Sequence, residues 1–317
     1  MSEFAAAIVA AYTIMEKALP SVFIGLFLAN VTAMGNLAAK ADRLLPLFAR
    51  LTGLPPAAAP VVLLSLADRM AGMAALEAIR QQTGLSDRQV IALNLTAKAP
   101  AVAQFFVFSF IPLLVSLFPR AAAVGFLAGY FAAFAVISAL GVMLLQIWSD
   151  GRLTAGREAV AGIKPVAWRN SVSGALAQTL RPFVRIALWM FASSAAVMLL
   201  IRSGAVDMLA AALPVTHSSV EPAAIPLLAA GLVSMVGGVA AVGVAWQEGV
   251  IPAAGIVPLL FLMSILHNVY DLFASSLPRT MAVYGRTLGL KVGLTGFVVT
   301  QAVMLIFLWL ARQGLLG

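Results

Sequence analysis

PVVLLSLADRMAGMAA, residues 60–75, and PLLAAGLVSMVGGVAA, residues 226–241, decide how this chain folds. Each opens on a proline, Pro60 or Pro226, and runs apolar into an interruption. In the first the interruption is Asp68-Arg69 with Gly72; in the second it is Ser234 with Gly237-Gly238. Neither reads as an ordinary membrane-crossing helix. A charged group exposed to lipid costs about 2.5–3.5 kcal/mol even on the mildest scale, and glycine weakens a helix interior. Short, interrupted apolar segments at matching places in two halves of a membrane chain point to a transporter's binding site.

The rest of the chain sets that pair in a membrane protein. Its 317 residues are 62% hydrophobic and 10% charged, with a mean hydropathy of +1.02; a soluble domain carries about 25% charged residues. Long helical runs without polar/apolar alternation exclude a β-barrel. Residues 1–17 lack a basic start and a clean cleavage site, so no cleavable signal peptide is expected. The net charge of +8 comes from Lys and Arg at span ends and in loops, where topology explains them and nucleic acid need not. With no Cys and two His, disulfides, thiolate metal sites and His-rich metal sites are excluded. No nucleophile–base pair, phosphate loop or catalytic carboxylate pair is present, so neither an enzyme nor a cofactor is expected.

The segments recur in order. Residues 4–18 form a lead-in and Ser21–Leu37 a first span. Ala41–Gly53 reads as an interfacial helix, and Pro55, Pro56 and Pro60 precede the short segment 60–79. A polar turn at 81–88 follows, then 89–118 divided at Pro100, a turn at Pro119-Arg120, and a span at 121–148. After a basic connection, 149–182, come a span at Phe183–Ile201, an amphipathic piece at Gly204–Leu213 and the second short segment, 226–246. Gln247-Glu248-Gly249 closes it; 251–273, a turn at Ser276–Arg279 and a last span at 290–312 complete the order. Pro20 pairs with Pro182, Pro60 with Pro226, and Phe118-Pro119-Arg120 with Leu277-Pro278-Arg279.

The 39–58 loop carries Lys40, Arg43 and Arg50, whereas 203–221 carries Asp207 and Glu221 with no Lys or Arg beyond Arg202. The matching loops therefore fall on opposite membrane faces. The expected fold is an all-α integral membrane protein of two inverted repeats, 1–148 and 183–317, joined by a cytoplasmic connection at 149–182. Each repeat holds about three transmembrane helices, one of them discontinuous, an interfacial helix and a re-entrant helical hairpin. Both termini are expected outside the cell's inner membrane, which the chain crosses several times.

Three polar clusters interrupt the apolar spans. Asp68 and Arg69 read as a water-exposed hairpin tip with a snorkelling Arg, or as the lining of a substrate cavity. Asn94, Thr96 and Lys98 precede Pro100, which frees backbone carbonyls nearby; Lys98 there balances Asp68 or holds an anionic group. His267, Asn268 and Asp271 share one helix face. They read as a helix end emerging at the surface, or as a cation- or proton-linked site with Asp271 as the titrating carboxylate. Ser234, Gly237 and Gly238 read as close helix packing or as backbone offered to a ligand.

Four stretches carry a family resemblance: LTGLPP at 51–56, ADRMAG at 67–72, LSDR at 85–88 and LTAKAP at 95–100. With the element order around them, they resemble the nucleoside-recognition, or Gate, domain family. That family is related to spore maturation proteins A and B, the membrane core of the ferrous-iron transporter B and the core of concentrative nucleoside transporters. The resemblance implies a transporter core of two opposed re-entrant hairpins and two discontinuous helices that move as a unit. On this chain those elements are the hairpins around Asp68 and Gly237 and the helix breaks near Lys98–Pro100 and His267-Asn268. The iron transporter core places Cys in this region and this chain has none, which argues against ferrous iron.

The function expected is secondary transport of a small polar organic solute, anionic or zwitterionic and nucleoside-like at most in part, by an elevator-like alternating access. A coupling Na+ or H+ would bind at Asp271 or Asp68. The expected partners are the solute or an ion, the lipid bilayer and further copies of the chain, with no nucleic acid. The alternatives are a non-transporting membrane scaffold of spore-maturation type and a cation permease.

Overall fold

The computed structural model describes residues 58–67, 69–148 and 224–316, with isolated helical positions between 5 and 27 and between 174 and 199. The interfacial helix at 41–53, the 149–182 connection up to residue 173, the amphipathic piece at 204–213 and Asp68 itself lie outside the described residues. All regular structure among the described residues is helical.

The first described stretch is a helical hairpin, α1 (Ala58–Ala67) and α2 (Arg69–Thr83), packed against each other. Gly84 ends it at φ 67°, a left-handed conformation that glycine adopts without strain. Ser86 then caps α3 (Asp87–Thr96): its hydroxyl accepts from the Gln89 N–H at 3.4 Å, and Gln89 Oε1 accepts from the Ser86 N–H at 2.9 Å. This reciprocal capping box satisfies two backbone donors at once. α4 (Lys98–Phe105) follows after a break at Ala97. A π-helical turn at Phe106–Phe110, α5 (Ile111–Leu117) and α6 (Arg120–Trp148) complete the first half.

The second half repeats this order. α7 (Ala224–Val233) and α8 (Met235–Gln247) form a hairpin broken at Ser234. α9 (Ala253–Asp271) leads into a π-helical turn at Leu272–Ser276, then α10 (Leu277–Tyr284) and α11 (Arg286–Arg312). The helix starts Arg69 and Met235, the π turns at 106 and 272, Pro112 and Pro278, and the helix starts Arg120 and Arg286 are each 166 positions apart. Each π turn has a cause in sequence. A proline ring presses on the carbonyl four residues before it; for Pro112 and Pro278 that carbonyl belongs to Phe108 or Ala274, inside the π turn.

Three expectations change. The Ser276–Arg279 segment is no turn: helix runs on to Tyr284, and the chain turns at Gly285, φ 79°. The π turn at Leu272–Ser276 accommodates the clash of Pro278 with the Ala274 carbonyl, so the helix runs on over Ala253–Tyr284 instead of ending there. By element order Pro278 pairs with Pro112 rather than with Pro119. No break occurs at His267-Asn268 either, since α9 is continuous through both and the irregularity falls at 272–276.

Three helices are long and apolar enough to cross a membrane: Arg120–Trp148, Ala253–Tyr284 and Arg286–Arg312. The chain is a membrane protein on that ground together with its composition. The main core joins α5, α6, α8 and α9 around Phe110, Leu113, Phe126, Val239 and Phe261; a smaller one joins the first hairpin to α3 and α11. Close approach within each hairpin depends on glycine. A Cβ on Gly72 would overlap Ser65, and one on Gly238 would overlap Gly231 and Met263; 65 and 231 are again 166 apart.

Candidate functional site

The break before Lys98 is held open by a side chain from another helix. In an unbroken helix the Ala99 N–H would donate to the Leu95 carbonyl. Here Ser138 of α6 stands between them, accepting from Ala99 N at 2.9 Å and donating to Leu95 O at 3.4 Å. Pro100 supplies no N–H of its own to rebuild the ladder. The insertion places Lys98 on the first turn of α4, beside α11. Gly296 leaves room there: a Cβ on it would sit 3.6 Å from both Cε and Nζ of Lys98 and 3.8 Å from Asn94 Nδ2.

Lys98 opens on a cavity of ≈ 490 Å³, within the range of small-molecule sites. Its walls follow the repeat. Lys98, Ala101, Val102 and Phe105 form one face of α4; Ser264, His267, Asn268 and Asp271 form one face of α9. These four pairs are each 166 positions apart, as are Arg69 and Met235, Phe106 and Leu272, and Phe134 and Thr300. Fourteen of the eighteen described lining residues thus come from equivalent positions in the two halves. Apart from Phe106 and Leu272, the members of each pair differ in chemistry. A backbone arrangement that repeats has been given unlike side chains.

The polar groups gather at one end. Arg69 Nη2 donates to Ser276 Oγ at 3.2 Å, tying the first hairpin to the second π turn. Asp271 is engaged: Ser275 Oγ donates to it, and Arg279 lies 3.6 Å away. Arg279 also donates to Ser275 Oγ and, at 3.2 Å, to the Ser275 carbonyl. Lys98 has no hydrogen bond or ion pair among the described residues, and Arg69 has no acidic partner among them. Asp271 also acts through space on Arg69 and Lys98, so this end sets one described carboxylate against three cations, with a direct ion pair only to Arg279.

His267 does structural work as well. Its Nδ1 lies 3.1 Å from the carbonyls of Gly231 and of Leu232. Carbonyls only accept, so Nδ1 carries the proton and donates. The ring thereby caps the end of α7, where carbonyls lack intrahelical donors. Asn268 Nδ2 is buried without a hydrogen-bond partner among the described residues.

Four of the five described lining aromatic residues, Phe105, Phe106, Tyr130 and Phe134, gather in one cluster; the fifth, Phe297, follows Gly296 beside Lys98. Phe106 stacks on Tyr130 with centroids 4.1 Å apart, Tyr130 lies 5.0 Å from Phe134, and Phe105 lies 5.1 Å from Phe110. Phe261 of α9 packs on Phe126 at 5.1 Å and faces Tyr130 at 6.3 Å. Lys98 and Phe105 are seven residues apart on α4, ~10.5 Å along the axis, and Phe261 and Asp271 are ten apart on α9, ~15 Å. Both helices therefore run between a charged end and an aromatic end.

Of the residues singled out in the sequence, Arg69, Lys98, His267, Asn268 and Asp271 line this cavity. Asn94 lines a void of ≈ 10 Å³ beside it, with Arg69, Lys98 and Tyr284. Thr96 is elsewhere: buried, donating to Ala92 O at 2.9 Å and packed against Gly141 of α6. Ser234 caps α8, its hydroxyl accepting from Gly237 N at 3.1 Å, so that glycine's N–H is committed to the cap. Gly238 serves packing against Gly231. Arg279, Ser276, Tyr130, Phe134, Phe297 and Thr300 also line the cavity, and sequence reasoning missed them. Arg279 and Ser276 were hidden in an apparent turn. The aromatics and Thr300 carried no signal distinguishing them from core residues. Among the described residues no group of three His, Cys, Asp or Glu side chains gathers as a metal site.

No protein-family model, curated protein or solved structure matches this chain.

Proposed function

We propose that this chain is a secondary transporter of a small anionic or zwitterionic organic solute, working by alternating access. The observation that carries this is the cavity lined from equivalent positions of both halves, with Arg69 and Lys98 at one end. A cation at membrane depth costs about 2.5–3.5 kcal/mol or more unless it is paired or lines a polar pathway. Among the described residues neither Arg69 nor Lys98 has a direct acidic partner, and a bound anion supplies one. The constant spacing of 166 positions between matching elements supports two repeats, and the Lys/Arg bias of the loops supports their inversion. On that reading the two hairpins are re-entrant, the chain crosses the inner membrane about six times, and the halves move past each other in an elevator-like step coupled to Na+ or H+.

The Gate-domain resemblance of the four sequence motifs agrees with a transporter core, and a nucleoside-like solute would need an anionic group to use Lys98. A cation permease has less support, because Asp271 is already paired with Arg279 at 3.6 Å and two further cations face the same space. A scaffold gives no reason to keep Lys98 there. The test is uptake by vesicles carrying the purified protein, with thermal stabilisation by the same solutes. Organic anions or zwitterions should stabilise the protein and be taken up, and Lys98→Ala should fold and take up none. Full uptake by Lys98→Ala would rule Lys98 out as a substrate contact; stabilisation by metal cations alone would turn the assignment to a permease.

A further inference from the structure

The two ends of the cavity differ in kind, and a ligand that fills it must differ in the same way. At one end stand Lys98 without a partner among the described residues and Arg69 with only Ser276. Seven residues along α4 stands Phe105, with a cluster of rings behind it. Phe105 is 41% exposed although it is a large apolar side chain within a helix that lines the cavity. Behind it, Phe106, Tyr130 and Phe134 are closely packed on one another, with 4.1 and 5.0 Å between centroids.

A small hydrophilic anion would satisfy the charges and leave the exposed Phe105 ring against water. An apolar ligand would satisfy the rings and leave the charges unmatched. The separation of the ends, ~10.5 Å along α4 from Lys98 to Phe105, is the length of a ring carrying a short acidic arm.

We propose that the ligand is an aromatic carboxylate, its head held by Lys98 and Arg69 and its ring laid against Phe105, with Phe106, Tyr130 and Phe134 as the floor. This rests on the cavity being the site of the proposed transporter and names the chemical class that the transporter takes. Arg69 keeps guanidinium donors beyond the Nη2 bond to Ser276, and a guanidinium matches a carboxylate with two parallel hydrogen bonds. Lys98 closes on the same head as a point charge. Ring-on-ring contact strengthens binding by roughly two- to tenfold beyond buried area, so Phe105 sets selectivity and the cationic end sets affinity.

The test uses the whole purified protein in detergent and in vesicles, with five probes: 3-phenylpropionate, hexanoate, glutarate, phenyl phosphate and 2-phenylethylammonium. Phenylpropionate should bind at least several-fold tighter than hexanoate or glutarate, and phenylethylammonium should not bind. Lys98→Met should weaken phenylpropionate by tenfold or more. Phe105→Ala should bring phenylpropionate and hexanoate to within about twofold of each other, and Phe105→Tyr should keep them apart; an exposed side chain can be trimmed without loss of fold. The wild-type probe series decides alone if a variant fails to fold.

Hexanoate or glutarate binding as tightly as phenylpropionate overturns the aromatic assignment and leaves an anion transporter standing. Phenyl phosphate outbinding phenylpropionate overturns the carboxylate head. Binding of phenylpropionate without uptake keeps the ligand assignment and removes transport. No binding by any probe removes the ligand assignment, and uptake of unrelated zwitterions in that case would keep the transporter.

Discussion

Replacing Ser138 by Ala should destabilise the protein and disturb Lys98, although Ser138 touches neither a charge nor the cavity. Its hydroxyl accepts from Ala99 N at 2.9 Å and donates to Leu95 O at 3.4 Å. Without it, a part-buried N–H and a part-buried carbonyl lose their partner together. Each such loss costs about 1–3 kcal/mol; the long, weak donation to Leu95 puts the total near 2 kcal/mol rather than at the sum. The helix has one escape, which is to close the gap and let Ala99 N bond Leu95 O directly. Pro100 opposes that closure, because its ring crowds the Thr96 carbonyl four residues back. Pro100→Ala should therefore make Ser138→Ala harmless. Reversible unfolding in mixed micelles of the wild type, both single variants and the double variant gives the coupling energy, expected within the 0.5–3 kcal/mol of residues that share a network. A Ser138→Ala cost below ~0.5 kcal/mol, or an equal cost with and without Pro100, would refute the account of the break.

Three further outcomes follow from the packing and the charge bias. Gly238→Ala should cost about 1–3 kcal/mol by overpacking and resist rescue, because its new Cβ meets the Gly231 backbone; Gly72→Ala meets the Ser65 side chain first and should be partly rescued by Ser65→Gly. His267→Ala should cost ~1 kcal/mol in thermal or chemical unfolding; His267→Asn, whose amide nitrogen can replace Nδ1, should recover it, and His267→Gln should not. Cys introduced at Ser149 and at Gly317 into this Cys-free chain should label from opposite membrane faces, inside and outside respectively, and labelling of both from one face would end the inverted arrangement.

The hairpins were legible because their signals are negative ones. Asp68-Arg69 and Ser234 break apolar runs where lipid would tolerate no such break. The structure has α1 and α2 meeting there, and α7 and α8 likewise. Lys98, Arg69, His267, Asn268 and Asp271 were legible for the same reason, as polar groups stranded in apolar helices. The aromatic wall was not, since Phe106 and Tyr130 look like any core pair until a cavity is seen beside them. Pro278 misled in a specific way. A proline after a serine pair suggests a helix end, but here the helix absorbs it in the π turn at Leu272–Ser276 and continues to Tyr284. That one misreading hid Arg279 and Ser276 and shifted the pairing of the halves from 166 to 159 positions over their last third. Ser138 had no sequence signal at all: its role exists only because α6 packs against a break two helices earlier in the chain.

The repeat also says what should happen if the proposed transporter alternates between two states. If the two halves exchange roles between inward- and outward-open states, each contact between them has a counterpart 166 positions away. The counterpart of the Arg69–Ser276 hydrogen bond, 3.2 Å, joins Met235 and Phe110. A charge-assisted bond in one state thus faces an apolar contact in the other. A hydrogen bond to a charged group contributes about 1.5–3 kcal/mol, so Arg69→Met, which makes the two contacts alike, should move the balance between states by roughly 10- to 150-fold. Ala101→Cys lies on the cavity wall and reports the opening, with no native Cys to compete. In vesicles of known orientation, Arg69→Met should raise its labelling from one face and lower it from the other, with Ser276→Ala acting in the same direction. Equal labelling rates from both faces before and after Arg69→Met would show that this bond does not bias the states, and would remove Arg69 from the conformational change while leaving it at the ligand.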